Sequence, residues 1–308
     1  MKNKIKISFW GVRGSIPTPG ENTVYYGGNT SCVTIEYKDE IIILDAGSGI
    51  REFGKYLIKQ GKISNNKIHI FISHTHWDHI QGLPFFASAF IKGNKIRIYG
   101  PKLFNQSFER ILSNQMEYNY FPVRLEDLEA DISFEELKIG KYNNIIPKVK
   151  IETMVTNHPV IDMGYKFSFG KIKVAYITDF EILTDQYFDY VYSGKDDIKK
   201  KIGKELFKNL NNRLIKFLKN SDFLIMDSFC TKEEYKDKLG WGHSCFEDVY
   251  NLAKKSKVKK LCFFHHDPNR TDESLKKIEK LYQELNKKEK CFEKIFAAKE
   301  KEQLFFEY

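Results

Sequence analysis

Apolar and polar positions in the first eighty residues follow strand periodicities. "KIKISFW" (4–10) and "CVTIEY" (32–37) alternate, as half-buried strands do. "EIIILDAG" (40–47) is a continuous apolar run, which predicts a strand buried on both faces. The spacing turns helical over "GIREFGKYLIKQG" (49–61) and returns to strand in "KIHIFIS" (67–73). Further strands are predicted at "KIRIYG" (95–100), "KVAYITD" (173–179), "DFLIMDSF" (222–229) and "KKLCFFHH" (259–266). Helical patterns lie between them, over 102–118, 199–220, 246–256 and 273–288. Strands interspersed with helices predict an α/β layered domain. No repeat, low-complexity linker or Pro/Gly-rich hinge divides the chain, so residues 1–308 read as a single domain with a Lys-rich helical insert near 182–220.

Composition narrows this only a little. With 308 residues, 42% hydrophobic and 15% aromatic, the chain can bury a substantial core. Its net charge of +9 admits a polyanionic partner, but much of the excess is Lys on helix-like stretches such as 199–220 and 253–260, where a solvated face suffices. Five scattered cysteines without C-x-x-C spacing argue against a disulfide framework or a thiolate zinc site. "MKNKIKISFWGVRGS" lacks the apolar core of a leader, and no apolar run approaches the ~20 residues of a membrane helix. A cytoplasmic protein with no membrane partner is the expectation.

The chemistry gathers in "FISHTHWDHIQG" (71–82). Residues two apart in extended chain point the same way, so His74 and His76 can offer two imidazoles to one metal ion. Asp78 and His79 follow after the chain turns, with "HIQGLPFFASAF" reading as the start of a helix, and can address a second ion. Nitrogen and carboxylate ligands suit zinc, with manganese or iron as alternatives. Other candidates stand at strand ends or in loops: His158 in "TNHPVIDMG", Asp179 closing "VAYITD", and His265 and His266 closing "LCFF". A strand-end carboxylate such as Asp179 can bridge two cations. His69 lies within a strand and is expected on a packing face. "GSGIREFG" is not a dinucleotide fingerprint, because Glu52 occupies the third glycine position.

This ordered set resembles the metallo-β-lactamase-fold hydrolases, in particular the phosphodiesterase branch that includes ribonuclease Z and the class II cyclic-nucleotide phosphodiesterases. The resemblance rests on "HTHWDH" (74–79), "NHP" (157–159), "YITDFE" (176–181) and "FHHDP" (264–268), with "GVRGSIPTPG" (11–20), "YGGNTSC" (26–32) and "LDAGSGIR" (44–51) in support. It implies a four-layer αβ/βα sandwich with two metal ions at one edge. It also implies that His74, His76 and His158 hold the first ion, that Asp78, His79 and His265 hold the second, and that Asp179 bridges them. His265 is preferred to His266 because neighbours on a strand face opposite ways. Asp45 resembles a position that props up the histidine loop.

The chemistry expected of such a pair is attack by a metal-bridging hydroxide, with Asp78 in the catalytic set. Asp179 stands where β-lactam hydrolases of this fold more often carry cysteine. "WGHS" (241–244) resembles the ribonuclease Z segment whose histidine assists the leaving group, so His243 is the candidate acid, with Glu247 to orient it. The Gly-rich loops offer Arg13, Asn29, Thr30 and Ser31 to an anionic substrate. These features favour a small phosphodiester or nucleotide. A thioester or lactone acyl hydrolase, and a ribonuclease Z-like endonuclease or nucleic-acid-binding protein, are the alternatives; a homodimer is a further open expectation. Ribonuclease Z usually carries a long tRNA-gripping arm between its third-motif histidine and the bridging aspartate. Here "PVIDMGYKFSFGKIKVAYIT" joins His158 to Asp179, enough for two strands and a turn. Cyclic or short phosphodiesters rise accordingly.

Overall fold

The structure, a computed structural model, describes residues 4–308. The first three residues, part of the stretch read above as lacking a leader's apolar core, lie outside the described residues. The amino-terminal half contains β1 (Lys4–Gly11), β2 (Cys32–Tyr37), β3 (Glu40–Leu44), α1 (Gly49–Lys59), β4 (Lys67–Phe71), α2 (Trp77–Ile80), β5 (Lys95–Pro101), α3 (Phe108–Asn114) and β6 (Asp131–Leu137). Strands β7 (Gly140–Ile146), β8 (Val149–Val155), β9 (Met163–Phe169) and β10 (Ile172–Ile177) follow. Helices α4 (Asp185–Val191) and α5 (Asp197–Leu218) lead to β11 (Phe223–Asp227), α6 (Phe246–Lys255), β12 (Lys260–Phe264), α7 (Asp272–Glu289), β13 (Lys294–Ala297) and β14 (Gln303–Glu307).

The strands form two seven-stranded sheets, ordered β14-β1-β2-β3-β4-β5-β6 and β13-β12-β11-β10-β9-β8-β7. Their facing surfaces bury Ile5, Ile7, Phe9, Ile35 and Phe71 of the first against Ile151, Phe167, Val174, Phe223 and Phe264 of the second. On the outer face of the first sheet, Ile50, Phe53 and Leu57 of α1 cover Ile43, Ile70 and Ile98, the i, i+3, i+7 stripe of an amphipathic helix. Leu214 and Leu218 of α5, Phe246 and Val249 of α6, and Leu275 of α7 cover the outer face of the second. The result is a four-layer αβ/βα sandwich, as the resemblance implies.

The sheets are locked together just before the histidine run. The Phe71 ring stacks on Tyr99 at 4.7 Å and meets Tyr165 and Phe167 of the opposite sheet edge-on at 5.4 and 5.0 Å. Truncating such a ring to alanine costs about 3–5 kcal/mol, so the start of the site's main loop is anchored in the core.

Strands β3, β4 and β5 run parallel, as do β10, β11, β12 and β13. Their carboxyl ends therefore open on one edge of the sandwich, where an α/β sheet exposes loops and functional side chains. Helix α5 is capped by Asp196, whose carboxylate accepts from the Lys199 N–H at 2.9 Å, and buries only Gly203, Leu214 and Leu218. The other face of the Lys-rich segment is solvated. Among the described residues no helix is long and apolar enough to cross a membrane.

Three local expectations need correction. The pattern over 102–118 yields a helix only at Phe108–Asn114, begun by Ser107, whose hydroxyl accepts from the Arg110 N–H. The expected helix after His79 is a single turn, Trp77–Ile80, followed by short 3-10 turns around Pro84. Strands β6 to β8 were not foreseen, because "DISFEEL" and "GKYNNII" put charged or amide side chains on a half-exposed rim of the sandwich.

Candidate metal centre

Three residues at the site edge adopt left-handed backbone within two positions of a strand's end: Asp45 (φ 59°), Asp179 (φ 45°) and His265 (φ 59°). Such conformations are uncommon outside glycine and turn a side chain back across the end of its own strand. Asp45 follows β3, Asp179 closely follows β10 and His265 follows β12, so both sheets send polar groups to one place.

These groups make two adjoining clusters. In one, His74, His76, His158 and Asp179 converge. Nδ1 of His76 lies 3.2 Å from Nε2 of His158, and Oδ2 of Asp179 lies 3.6 Å from Nε2 of His74 and 3.8 Å from Nε2 of His158. In the other, Asp78, His79, Asp179 and His265 converge. Nε2 of His79 and Nε2 of His265 are 3.2 Å apart, each is 3.1 Å from Oδ2 of Asp78, and they lie 3.1 and 3.0 Å from Oδ1 of Asp179. Asp179 thus turns one oxygen to each cluster.

The donor set fits divalent metal. Four ligand atoms at ~2.0–2.1 Å from a tetrahedral ion stand roughly 3.3 Å from one another, and the second cluster's separations fall around that value. Nε2 of His74 is buried without a hydrogen-bond partner, an expensive condition for an imidazole nitrogen unless something else satisfies it. Burial, reinforced by His79, pushes the His74 imidazole down to about 3, so it stands neutral with a lone pair to give. Burial likewise pushes His158 down to about 4. At His265 burial opposes the charge, but Asp179 and Asp78 outweigh it and push the imidazole up to about 10. Burial also opposes charge on Asp78, yet His79 and His265 hold it well below the usual carboxylate range. The second cluster calls for positive charge, which a bound cation supplies.

Further contacts fix the ligand rings. Asp45 is fully buried: its Oδ1 accepts from the Ser73 N–H at 2.7 Å, and its Oδ2 accepts from the Ser73 hydroxyl at 2.9 Å and the Tyr176 hydroxyl at 2.7 Å. The same Oδ2 lies 2.8 Å from Nδ1 of His79. Asp162, which sequence reasoning missed, stands beside His74, whose Nδ1 also lies 3.1 Å from the Ser73 hydroxyl. Its Oδ1 lies 3.1 Å from Nδ1 of His74, and its Oδ2 accepts a short hydrogen bond from the Thr156 hydroxyl. Burial and Asp179 push this carboxyl up to about 8. A carboxylate in the same loop as His158, "NHPVID", was the available signal.

His243 comes to the edge of the same cavity. That cavity, of about 470 Å³, is lined by Ser15, Thr75, His76, Trp77, Asp78, His158, Asp179, Trp241 and His243. Nδ1 of His243 lies 3.0 Å from Oδ2 of Asp227, and its ring stacks on Phe229 at 4.3 Å. Glu247, expected to orient His243, is instead exposed on α6; the orienting carboxylate is Asp227, the last residue of β11. A buried acid at the end of an apolar strand was the missed signal.

Other expected residues go elsewhere. His266 turns away from the clusters, its Nε2 2.9 Å from the Ala298 carbonyl, and His69 is held between Glu40 and Tyr99. The structure does not bring the four proposed anion contacts to the cavity. Arg13 is fully buried, donating from Nε to the Gly27 carbonyl and from Nη1 to the carbonyls of Asp267 and Arg270. Asn29 is bound to Glu300, Thr30 Oγ1 accepts from the Ser48 N–H and from Gln81 Nε2, and Ser31 is buried. These four hold the Gly-rich loops together. From those loops Ser15 reaches the site: its N–H donates to Oδ2 of Asp78 at 2.7 Å. Gly14 beside it permits the approach, since a Cβ there would stand 2.4 Å from the His265 ring.

The sequence profile of the family described as Anti-Pycsar protein Apyc1 matches residues 19–199, more than half of the chain. The chain belongs to the Anti-Pycsar protein Apyc1 family. Within the wider fold, this family member is similar to ribonuclease Z of Thermoplasma acidophilum, with 26% identity over 302 residues covering 89% of this chain and 90% of that protein. The metallo-β-lactamase-fold protein YhfI from Bacillus subtilis superposes with a TM-score of 0.62 at 17% identity, covering 99% of this chain and 100% of its own. The short form of human tRNase Z gives a TM-score of 0.63 at 17% identity, over 97% and 98%. The chain is therefore a metal-dependent hydrolase of the metallo-β-lactamase fold, in the branch that holds ribonuclease Z.

Proposed function

We propose that this protein is a phosphodiesterase that uses two divalent metal ions, zinc first among the candidates, to cleave cyclic or short phosphodiesters in the cytoplasm. The observation that carries this reading is Asp179 turning one carboxylate oxygen to each of two His/Asp clusters. His74, His76 and His158 would hold one ion, Asp78, His79 and His265 the other, and Asp179 would serve both. When bound, such a pair lowers the pKa of water and stabilises negative charge on an attacked phosphoryl oxygen.

The remaining steps belong to the chain itself. Asp45 keeps the His79 ring turned inward, and the Ser73 hydroxyl, with Asp162 beside it, does the same for His74. Asp227 occupies Nδ1 of His243, leaving Nε2 as the ring nitrogen free to serve the cavity. Burial disfavours charge on His243, but Asp227 outweighs it and raises the imidazole above its ordinary value. Asp227 thus favours the protonated ring, whose Nε2–H can protonate a departing alkoxide. Acyl transfer on the same metals has less need of an added acid when a thiolate departs, so the Asp227–His243 pair favours phosphodiesters over thioesters.

One further observation favours a second reading, a ribonuclease Z-like endonuclease: relatives of that name match about nine-tenths of the chain. Against it, only the β9–β10 hairpin and short flanking loops lie between His158 and Asp179, with no arm for tRNA. Assaying metal-loaded protein on bis(p-nitrophenyl) phosphate, cyclic nucleotides, a thioester and lactone panel and a pre-tRNA separates these readings. Turnover of the small phosphodiesters is expected to dominate; preferential cleavage of a thioester or of the tRNA trailer refutes the proposal.

A further inference from the structure

We propose that Trp77 and Trp241 form an aromatic pair at the mouth of the metal cavity. They grip a flat ring carried by the substrate and set a preference for phosphodiesters that bear one. The inference rests on the phosphodiesterase reading of the same cavity.

The chain has three tryptophans. Trp10 behaves as a core residue, 7% exposed and donating its indole N–H to Thr34 Oγ1 at 2.8 Å. The other two are 79% and 56% exposed, and both line the cavity that holds His76, Asp78, His158 and His243. Among the described residues neither indole stacks on another ring and neither indole N–H has a hydrogen-bond partner. A large apolar surface left in water beside a reactive site is a binding surface in waiting.

Both rings stand on backbone that is held. Trp77 opens α2 between His76 and Asp78, where the His79 N–H donates to the His76 carbonyl and the Gln81 N–H to the Trp77 carbonyl. Trp241 sits between Gly240 (φ 82°) and Gly242 (φ 86°), both in left-handed backbone. The N–H groups of these glycines each donate at 3.0 Å to the Glu181 carboxylate, which also accepts from the Tyr235 hydroxyl at 2.8 Å. Gly242 cannot carry a Cβ here, since it would stand 2.2 Å from Nδ1 of His158. An uncovered indole on fixed backbone needs little ordering when a ring docks, which is how preorganisation raises affinity. A nucleobase-like heteroaromatic ring suits it best, because stacking on an indole face works for any planar ring and is worth roughly tenfold in affinity per ring.

The test measures binding and turnover separately on metal-loaded protein. Calorimetry gives the affinities of adenosine 5′-monophosphate and of ribose 5-phosphate, which differ only in the ring. Hydrolysis is followed on adenosine 3′,5′-cyclic phosphate and on its base-free 1-deoxyribose counterpart. Wild-type protein should prefer the ring-bearing ligand at least tenfold. Trp77→Ala and Trp241→Ala should each cut that preference, the double variant should bring it close to one, and Trp241→Phe should keep most of it. A wild-type preference near one, or a preference that survives in the double variant, overturns the proposal. Should Trp77→Ala lose its metal, Trp77→Phe and Trp241→Ala decide. A binding preference that follows the tryptophans in a protein that hydrolyses neither cyclic phosphate sinks the phosphodiesterase reading and leaves the aromatic pair standing.

Discussion

Nδ1 of His243 lies 3.0 Å from Oδ2 of Asp227, a buried pair at the rim of the metal cavity. Phosphodiester cleavage expels an alkoxide, which leaves slowly unless protonated, whereas nitrophenolate leaves without help. His243→Ala should therefore slow an alkyl phosphodiester by about 10²–10⁴-fold and a p-nitrophenyl ester far less. Asp227→Asn should act in the same direction, because it removes the charge that favours imidazolium. Rates on the two ester types, alongside elemental analysis, check this. Equal losses on both, with metal retained, would remove His243 from the acid's role.

Metal content should follow the division of labour around Asp179, which faces His74 and His158 with one oxygen and His79 and His265 with the other. Elemental analysis of carefully purified active protein is expected to find two ions per chain. Asp78→Ala should deplete the second site and leave the first partly filled, while Asp179→Ala should weaken both. One ion or none in fully active protein contradicts the two-metal mechanism.

Substrate size should follow the short β9–β10 connection between His158 and Asp179. Cyclic and short phosphodiesters should be cleaved, and pre-tRNA trailers should not be removed efficiently. Gel analysis of purified protein with a pre-tRNA decides; efficient cleavage at a single position would falsify this expectation.

Away from the site, Glu36 bonds Lys6 and Lys62, each at 2.8 Å. Burial opposes its charge, but the two ammonium groups outweigh it and hold the carboxyl below its ordinary value. Its folded pKa thus lies below the unfolded one of ~4.3. The unfolded chain binds the extra proton between the two values, so this stability is full above the unfolded value and is lost as pH falls through the folded one. Glu36→Gln should cost about 1 kcal/mol at pH 7, with the gap to wild type closing below pH ~4. Urea midpoints across pH measure it; a gap that persists unchanged in acid counts against the assignment.

The histidine loop was legible because its chemistry is local. His74, His76, Asp78 and His79 lie within six positions at the end of an apolar strand, whereas alternation said only that one of His265 and His266 turns inward, and both stand beyond the last residue of β12. Asp227 and Asp162 were not legible for the opposite reason. Asp162 meets His74 only when the two sheets are stacked, and Asp227 meets His243 only when the irregular connection from β11 to α6 folds back on its own strand end, which no periodicity announces. Arg13 was misread because a Gly-rich loop with a guanidinium looks alike whether it awaits an anion or binds three carbonyls of its own chain. The central strands announced themselves by continuous apolar runs. The rim strands β6 and β7 did not, since half their side chains face water.

The antiparallel pairing of β1 with β14 sets Lys4 opposite Glu307, with their side chains in ionic contact at 3.2 Å. Residues near the two ends of the described chain are thus neighbours on one sheet edge. A short peptide could join them, and new ends could be opened at the exposed turn around Gly194, between α4 and α5, without crossing either sheet. Such a circular permutant should keep every side chain of the metal centre in place, since tolerance of new ends follows burial and hydrogen bonding at the cut and not sequence position. The order in which the layers are threaded is, in this molecule, separable from the site they build.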